Sequence, residues 1–307
     1  MKKGRGKPAM RAVHIKHSLL LLVTAVIWGV AFVAQSVGMD YVGPFTFTCA
    51  RSLIAGVVLL PLLALRRRRG PGQPAASGDR RALWLGGLCC GLFLALASSF
   101  QQFGIQFTTV GKAGFITAFY IVLVPVLGLL WGRRCSLAVW IGVAMALAGL
   151  YLLCITEGFA VQSGDLMVFI CALLFAGHIL VIDHFTHRAD GVAMACIQFF
   201  ACGLLCAVPM LIFERPSLAQ LCAAWLPVLY AGVLSSGVGY TLQIIGQRDM
   251  NPTVASLILS LESVVSVLAG LVLLGQRLSA REWAGCLLMF CAIILAQLPG
   301  RRAASSS

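Results

Sequence analysis

Glu262 is the acidic residue that lies deepest in an apolar stretch of this sequence, eleven positions into a predicted helix of about 24 residues. A carboxylate is costly in a hydrocarbon interior, so it tends to face a cavity or a partner, where it can bind and release a proton. Ser256, Ser260, Ser263 and Ser266 share its face if the segment is helical. Glu262 is therefore the first candidate for a solute-binding or proton-binding group. The alternative is a structural carboxyl that is hydrogen-bonded to a neighbouring helix.

Two further ionisable residues interrupt apolar runs. Arg51 lies about eight residues into its run, within reach of a membrane interface, so one interpretation is an anchor whose charged end extends to the headgroups. The other is a binding group for an anionic solute, or an ion-pair partner for Glu262. His178 could relay protons, and the alternative is a neutral histidine that donates to a carbonyl.

Buried amides and aromatic rings form a second group of candidates. Gln101 and Gln243 recur at matching positions of the two halves described below, and buried amides need partners from a helix, water or a solute. Four rings could form an aromatic wall around a solute, with packing against lipid or protein as the alternative for each. These rings are Trp28, Phe119, Tyr120 and Tyr240.

The elements that carry these residues are predicted to be membrane-spanning helices. Of the 307 residues, 60% are hydrophobic and only 11% are charged, whereas soluble proteins carry roughly 25% charged residues. The apolar runs are about 17 to 24 residues long, enough for a helix to cross a hydrocarbon core of roughly 30 Å. We therefore predict an all-α integral membrane protein of about ten transmembrane helices. The predicted spans are 18–38, 44–65, 82–104, 111–132, 136–155, 165–183, 191–213, 223–246, 252–275 and 282–298.

The formal net charge is +13, from 23 basic and 10 acidic residues. The basic residues lie in tails and short connections, so we expect no nucleic-acid partner. With a cytoplasmic N-terminus, eighteen of them fall in inside segments and four in outside segments. The positive-inside rule therefore predicts a multi-pass protein of the bacterial inner (plasma) membrane with both termini in the cytoplasm.

The chain contains an internal repeat. Three blocks of identities recur in order at nearly constant spacing, which is typical of a duplicated membrane half. At offsets of 147, 142 and 143 residues, they are Ala25/Cys49/Gly56 with Ala172/Cys196/Gly203, Gln101/Gly104/Ala113 with Gln243/Gly246/Ala255, and Ser136/Trp140/Gly142 with Ser279/Trp283/Gly285. Each half has five spans, an odd number, so the second half must enter the membrane in the opposite orientation. Such inverted repeats favour a transporter that works by alternating access.

The sequence lacks the motifs of several kinds of enzyme and binding site. It has no Gly-rich phosphate loop, no Ser/His/Asp order, no C-x-x-C and no cluster with metal-ligand spacing. We therefore expect no enzymatic activity, no cofactor, no metal and no direct use of ATP. A membrane-embedded enzyme or a receptor is the remote alternative, and an enzyme would need polar groups clustered at one membrane face.

Short motifs in both halves of the chain carry a resemblance to a known family. They are Trp28-Gly29, Ala50-Arg51, Lys112-Ala113-Gly114-Phe115-Ile116-Thr117, Val124-Pro125-Val126, Gly149-Leu150-Tyr151, Gly164-Asp165, Ala255-Ser256-Leu257-Ile258, Leu261-Glu262-Ser263-Val264 and Gly275-Gln276-Arg277-Leu278-Ser279. With these, the chain resembles the EamA-type permeases of the drug/metabolite transporter superfamily. The family often has Pro where Ser263 stands and Glu where Gln276 stands. A kink in span nine and a charge near its outer end are therefore not carried over.

The resemblance implies two inverted five-helix EamA repeats, at 18–155 and 156–298, between a basic cytoplasmic tail at 1–17 and a second tail at 299–307. It implies secondary transport of a small molecule such as a metabolite, amino acid or drug, with export expected and protons as a candidate coupling ion. A sugar-phosphate or nucleotide-sugar antiporter is the alternative, which would need more mid-span basic residues than Arg51. The expected partners are the lipid bilayer and a small-molecule substrate, and a homodimer is left open.

Overall fold

A computed structural model describes residues 6–68, 79–107, 110–130, 132, 135–154, 163–248, 250–274 and 279–297. The first half of the chain holds α1 (Gly6–Gly38), α2 (Pro44–Arg68), α3 (Arg80–Ile105), α4 (Val110–Thr117), α5 (Tyr120–Leu130) and α6 (Leu137–Cys154). The second half holds α7 (Ser163–Thr186), α8 (Gly191–Pro209), α9 (Leu218–Ala223), α10 (Trp225–Leu229), α11 (Thr241–Gln247), α12 (Pro252–Leu259), α13 (Leu261–Leu274) and α14 (Ala280–Gln297). Two π-helical segments, Met210–Glu214 and Tyr230–Tyr240, continue α8 and α10.

These helices confirm the predicted all-α membrane protein. Within the described residues, eight helical segments are long and apolar enough to cross a membrane. Two shorter apolar helices, Leu137–Leu152 and Trp283–Ala296, occupy the positions of predicted spans five and ten. All ten predicted spans therefore correspond to apolar helices. Much of the connection between Arg66 and Arg81, and the Gly275–Leu278 part of the family motif, lie outside the described residues.

The first helix extends beyond the predicted first span on its N-terminal side. The helix α1 begins at Gly6, so most of the predicted tail at 1–17 is a helical extension of the first span. Hydropathy marks where a helix enters the apolar region, and it does not mark where the helix begins in sequence.

The two halves pack as a pair related by approximate two-fold symmetry. The repeat-equivalent helices α2 and α8 lie against each other, as do α6 and α14. Within the second pair, a Cβ added at Gly142 would lie 3.0 Å from the carbonyl oxygen of Ala292, and one at Gly149 would lie 2.9 Å from that of Gly285. The sequence numbers therefore rise along α6 as they fall along α14, so these equivalent helices are antiparallel.

Gly104 and its repeat equivalent Gly246 show the same symmetry in detail. A Cβ on Gly104 would meet the Gly164 carbonyl oxygen at 2.9 Å and Val168 Cγ2 at 2.5 Å. A Cβ on Gly246 would meet the His17 carbonyl oxygen at 3.2 Å and Leu21 Cδ2 at 2.9 Å. The offset of 147 residues matches His17 to Gly164 and Leu21 to Val168. The same close contact between the halves is therefore built twice.

Spans four and nine are interrupted at equivalent positions. The first breaks between Thr117 and Tyr120, and the second at Ser260. At both places hydrogen bonds shorten to the i−3 pattern, from Ile121 N–H to the Ala118 carbonyl (3.0 Å) and from Ser263 N–H to the Ser260 carbonyl (3.1 Å). Such tightened turns within a helix often mark hinges. Span nine is interrupted although it carries Ser rather than Pro at position 263.

Candidate functional site

A cavity lies where the two halves meet, and seven of the predicted site residues line it. Its volume is about 30 Å³, which is room for roughly one or two water molecules. The lining residues are Trp28, Ala31, Phe32, Gln35, Arg51, Gln101, Thr117, Tyr120, Phe175, Ile179, Ser235, Tyr240, Gln243, Leu259 and Glu262. Among the predicted residues, Phe119, His178 and the four serines near Glu262 do not line it.

Ten of these fifteen residues form repeat-equivalent pairs. At an offset of 147 residues the pairs are Trp28/Phe175 and Phe32/Ile179, and at an offset of 142 they are Gln101/Gln243, Thr117/Leu259 and Tyr120/Glu262. A cavity lined by both members of each pair lies on the pseudo-two-fold axis. Each half therefore contributes the same positions to one central space.

The carboxylate of Glu262 accepts a hydrogen bond of 3.0 Å from the Tyr120 hydroxyl. Glu262 is 4% exposed and lies in the first turn of α13, directly after the interruption at Ser260. Tyr120 is the first residue of α5, directly after the interruption of span four. The two interrupted helices therefore meet through this hydrogen bond at the cavity wall.

The serines predicted to extend the polar face of Glu262 donate to backbone carbonyls instead. Ser256, Ser260 and Ser266 donate to carbonyls three residues earlier in the chain, at 2.8 to 2.9 Å. Ser263 donates to the carbonyl of Gly114 at 3.1 Å and so links α13 to α4. Their hydroxyls satisfy backbone groups, because a serine in an apolar helix reaches such a carbonyl more easily than a distant partner. Ser263 thus joins helices and is not a lining residue.

The guanidinium of Arg51 points into the protein, so the interpretation as an anchor at the interface is wrong. The residue is 3% exposed. Its Nη2 donates to Ser98 Oγ at 2.7 Å and its Nη1 to Gln35 Oε1 at 3.4 Å. Its Nε has no hydrogen-bond partner among the described residues. The ion pair with Glu262, one of the alternatives for Arg51, is not formed, and the Glu262 carboxylate accepts from Tyr120.

The equivalent amides are both at the cavity but differ in their partners. Gln101 donates through Nε2 to Thr117 Oγ1 at 3.3 Å. Gln243 Oε1 is buried and accepts no hydrogen bond within the described part of the chain. Gln243 and Arg51 both line the cavity, so their unused acceptor and donor are polar groups that a bound molecule or water would satisfy.

Aromatic rings form one wall of the cavity. The rings of Trp28 and Tyr240 have centroids 4.5 Å apart at an interplanar angle of 51°. Trp28 Nε1 donates to the Ser235 carbonyl at 3.0 Å, which lies within the π-helical segment. Phe119 is not part of this wall, contrary to the prediction. It packs edge-on against Phe115 and Phe169.

His178 lies behind the wall. Its Nε2 is 3.1 Å from Gln198 Oε1, so its partner is a side-chain amide and not the expected backbone carbonyl. Its ring contacts that of Tyr240 edge-on, with centroids 5.9 Å apart. It therefore reaches the cavity through Tyr240.

Several lining residues were not among the predicted site residues. Phe175 and Ile179 are hydrophobic positions in an ordinary apolar helix and gave no signal alone. They are the repeat equivalents of Trp28 and Phe32, so the offset would have found Phe175 from Trp28. Gln35 and Ser98 acquire their importance through Arg51. Spatial neighbours of this kind carry no local sequence pattern.

The comparisons with known proteins agree with this architecture. The EamA-like transporter family matches the chain twice, at residues 15–155 and 162–298. The chain therefore belongs to the EamA-like transporter family, and the two matches correspond to the two halves of the fold. It is a membrane transporter with two EamA repeats, which places it in the drug/metabolite transporter superfamily.

The relatives are described as transporters. An uncharacterized transporter of Archaeoglobus fulgidus is 29% identical over 91% of this chain and 84% of its own length. The uncharacterized inner membrane transporter YedA of Escherichia coli K12 is 24% identical over 91% and 89%. The uncharacterized transporter YwfM of Bacillus subtilis is 25% identical over 93% and 95%. A crystal structure with 22% identity superposes with a TM-score of 0.76 over 95% of this chain and 99% of its own, and it supports the fold alone.

Proposed function

We propose that this protein is a secondary transporter that moves a small solute through the central cavity by alternating access. The observation that carries the proposal is the position of the cavity on the pseudo-two-fold axis, lined by both members of five repeat-equivalent pairs. A site shared by inverted halves can open to either side when the halves exchange conformations.

The contracted volume and the helix interruptions support this motion. A cavity of about 30 Å³ is too small for a metabolite, so binding requires the halves to move apart. The interruptions of spans four and nine lie at the cavity wall, next to Tyr120 and Glu262. Rotation at these two turns widens the space, with α6 and α14 remaining packed against each other.

The side chains favour a solute with both an acidic and a basic group. Arg51 presents an unused Nε–H, and Glu262 is not neutralised by Arg51. A solute carboxylate would bind the guanidinium, and a solute ammonium would bind Glu262 in place of a proton. The rings of Trp28 and Tyr240 would cover the apolar part. Among metabolites, amino acids and drugs, this combination favours amino acids and other small zwitterions.

A sugar-phosphate or nucleotide-sugar antiporter is supported less well. Arg51 is the one buried Arg or Lys side chain among the described residues. A phosphate group carries up to two negative charges and is commonly bound by several Arg or Lys side chains.

The topology and direction are part of the proposal. The distribution of basic residues, eighteen inside and four outside, supports cytoplasmic termini in a bacterial inner membrane. With that orientation we propose export, driven by inward movement of protons. Reporter enzymes fused at the C-terminus, active in either the cytoplasm or the periplasm, test the orientation.

The test of the function uses purified protein in liposomes, each loaded with one of a panel of amino acids, sugars and sugar phosphates. Efflux is measured with and without an imposed proton gradient, against liposomes containing an Arg51→Gln variant. We expect protein-dependent efflux of zwitterions. Efflux of no compound from liposomes containing folded protein would contradict the proposal, and preferential efflux of phosphate esters would favour the antiporter.

A further inference from the structure

Glu214 joins the second half of the protein to the beginning of α2 in the first half. Its Oε1 accepts from the Phe45 N–H at 2.9 Å, and its Oε2 accepts from the Thr46 N–H at 2.7 Å and the Thr46 hydroxyl at 2.6 Å. The first N–H groups of a helix lack partners within the helix and carry partial positive charge. One carboxylate therefore makes three hydrogen bonds across the two halves.

The local backbone is shaped for this contact. A Cβ on Gly43 would overlap Glu214 Cδ, so a larger residue would displace the carboxylate. On the other side, Glu214 ends a π-helical segment and Arg215 has a φ of 43°. Positive φ is unfavourable for Arg, and such strain persists where surrounding contacts hold it. The strained backbone at Arg215 and the absence of a side chain at Gly43 both allow Glu214 to occupy this position.

Apolar contacts also close the face of the protein at which α2 begins, called the α2 face below. Val42 and Phe47 of the first half form a buried cluster with Ala224, Val228 and Ala231 of the second half. The opposite face has the repeat-equivalent contact. There a Cβ on Gly86, the equivalent of Val228, would lie 2.9 Å from Met194 Sδ, and Met194 is the equivalent of Phe47. An equivalent apolar contact is therefore present at both faces.

The carboxylate makes the two faces different. At the opposite face α8 begins, and its N-terminus is capped by its own Asp190, whose Oδ1 accepts from the Ala193 N–H at 2.8 Å. The offset of 147 residues matches Gly43 to Asp190 and Arg67 to Glu214. A guanidinium has donors only and cannot cap a helix N-terminus. The two halves are thus joined by a charged cap at the α2 face, and the equivalent positions cannot form one at the other.

We infer that Glu214 is a latch that holds the α2 face closed and biases the transporter towards conformations open at the opposite face. This inference rests on the proposed alternating access. Opening of the α2 face separates Glu214 from Phe45 and Thr46 and leaves their N–H groups to water, whereas opening of the opposite face leaves the cap intact. With the proposed topology, the latched face is the outer one.

Hydrogen exchange of the protein in lipid nanodiscs tests the latch without a solute. We compare wild type, Glu214→Gln and the control Asp40→Asn, which changes an exposed carboxylate near the same end of α2. In Glu214→Gln we expect roughly tenfold faster exchange within residues 39–48. We also expect slower exchange within residues 79–88 and 189–196 at the opposite face, because opening of one face excludes opening of the other. Asp40→Asn leaves both regions unchanged.

The reciprocal change distinguishes a latch from a helix cap of purely structural importance. Faster exchange at residues 39–48 with no change at the opposite face would overturn the inference. If Glu214→Gln does not fold, Thr46→Val removes the 2.6 Å bond alone. This variant should show a smaller increase of exchange at residues 39–48 and a smaller decrease at the opposite face. No change in either region would also overturn the inference. Transport without the reciprocal change refutes the latch alone, and the reciprocal change without transport of any solute refutes the proposed substrate path alone.

Discussion

Tyr120 and Glu262 occupy equivalent positions of the two halves and bond to each other across the pseudo-two-fold axis. The hydroxyl of Tyr120 donates to Glu262 Oε1 at 3.0 Å, and the offset of 142 residues that matches Gln101 to Gln243 also matches Tyr120 to Glu262. The equivalent position therefore holds a hydrogen-bond donor in one half and an acceptor in the other, and the two side chains form a single contact. Each residue follows directly on the interruption of its own span, so movement at either interruption changes this bond.

Tyr120→Phe removes only the hydroxyl of this bond. We expect a loss of stability of about 1–3 kcal/mol, because the buried carboxyl loses a hydrogen-bond partner, together with about tenfold slower transport. Thermal unfolding in detergent and efflux from liposomes measure the two effects. Tyr151→Phe is the matched control, since Tyr151 is exposed on α6, and it should change neither.

A double-mutant cycle tests whether Tyr120 and Glu262 act as a unit. If they do, Tyr120→Phe costs much less stability in a Glu262→Gln background than in wild type, because the bond to a carboxylate is already lost. The midpoint of thermal unfolding of the four proteins gives the coupling. Additive losses would show that the hydrogen bond contributes nothing of its own.

Arg51→Lys tests the binding of an acidic group. Arg51 bonds to Ser98 and Gln35 through different nitrogens while its Nε remains available. An ammonium has one nitrogen on a flexible stem and cannot keep these contacts while it binds a carboxylate in two-point fashion. We expect at least about tenfold weaker competition by a transported zwitterion, with little change for its amide derivative. Equal weakening for both compounds would argue against a carboxylate at Arg51.

Gly149→Val tests the packing of the equivalent helices α6 and α14. A Cβ at Gly149 lies 2.7 Å from Met289 Cγ and 2.9 Å from the Gly285 carbonyl oxygen, so the helices must separate. Overpacking of this kind costs about 1–3 kcal/mol. Ala148→Val changes the adjacent exposed residue and should leave the unfolding temperature unaltered. A similar effect of the two substitutions would contradict the antiparallel pairing.

Much of the architecture follows from the sequence, because the membrane imposes strong constraints. Every span needs a long apolar helix, so runs such as 191–213 could be identified without any other information. The repeat was visible because duplicated helices keep small residues where they pack closely, as at Gly104 and Gly246. Glu262 stood out because a carboxylate in an apolar run is rare.

The site residues that depend on side-chain direction were less predictable. Whether Arg51 reaches the interface or turns inward depends on which face of α2 packs against α3 and on the presence of Ser98, which lies 47 positions away in sequence. The same holds for the serines near Glu262, whose hydroxyls had nearer backbone acceptors.

Local helix geometry was missed for another reason. The π-helical segment Tyr230–Tyr240 and the interruption at Ser260 contain no proline. The π-helical segment is held by contacts with other helices, such as the bond from Trp28 to the Ser235 carbonyl. A method that looks for helix-breaking residues does not detect such sites.

The central claim is that the cavity on the pseudo-two-fold axis carries the solute and that Glu262 carries the coupling charge. The most direct test follows the internal pH of proteoliposomes while a transported zwitterion moves down its gradient, for wild type, Glu262→Gln and Asp40→Asn. Wild type and Asp40→Asn should show solute-dependent proton movement, and Glu262→Gln should show none, with slower exchange of internal for external solute. Proton movement of wild-type size in folded Glu262→Gln would contradict the account.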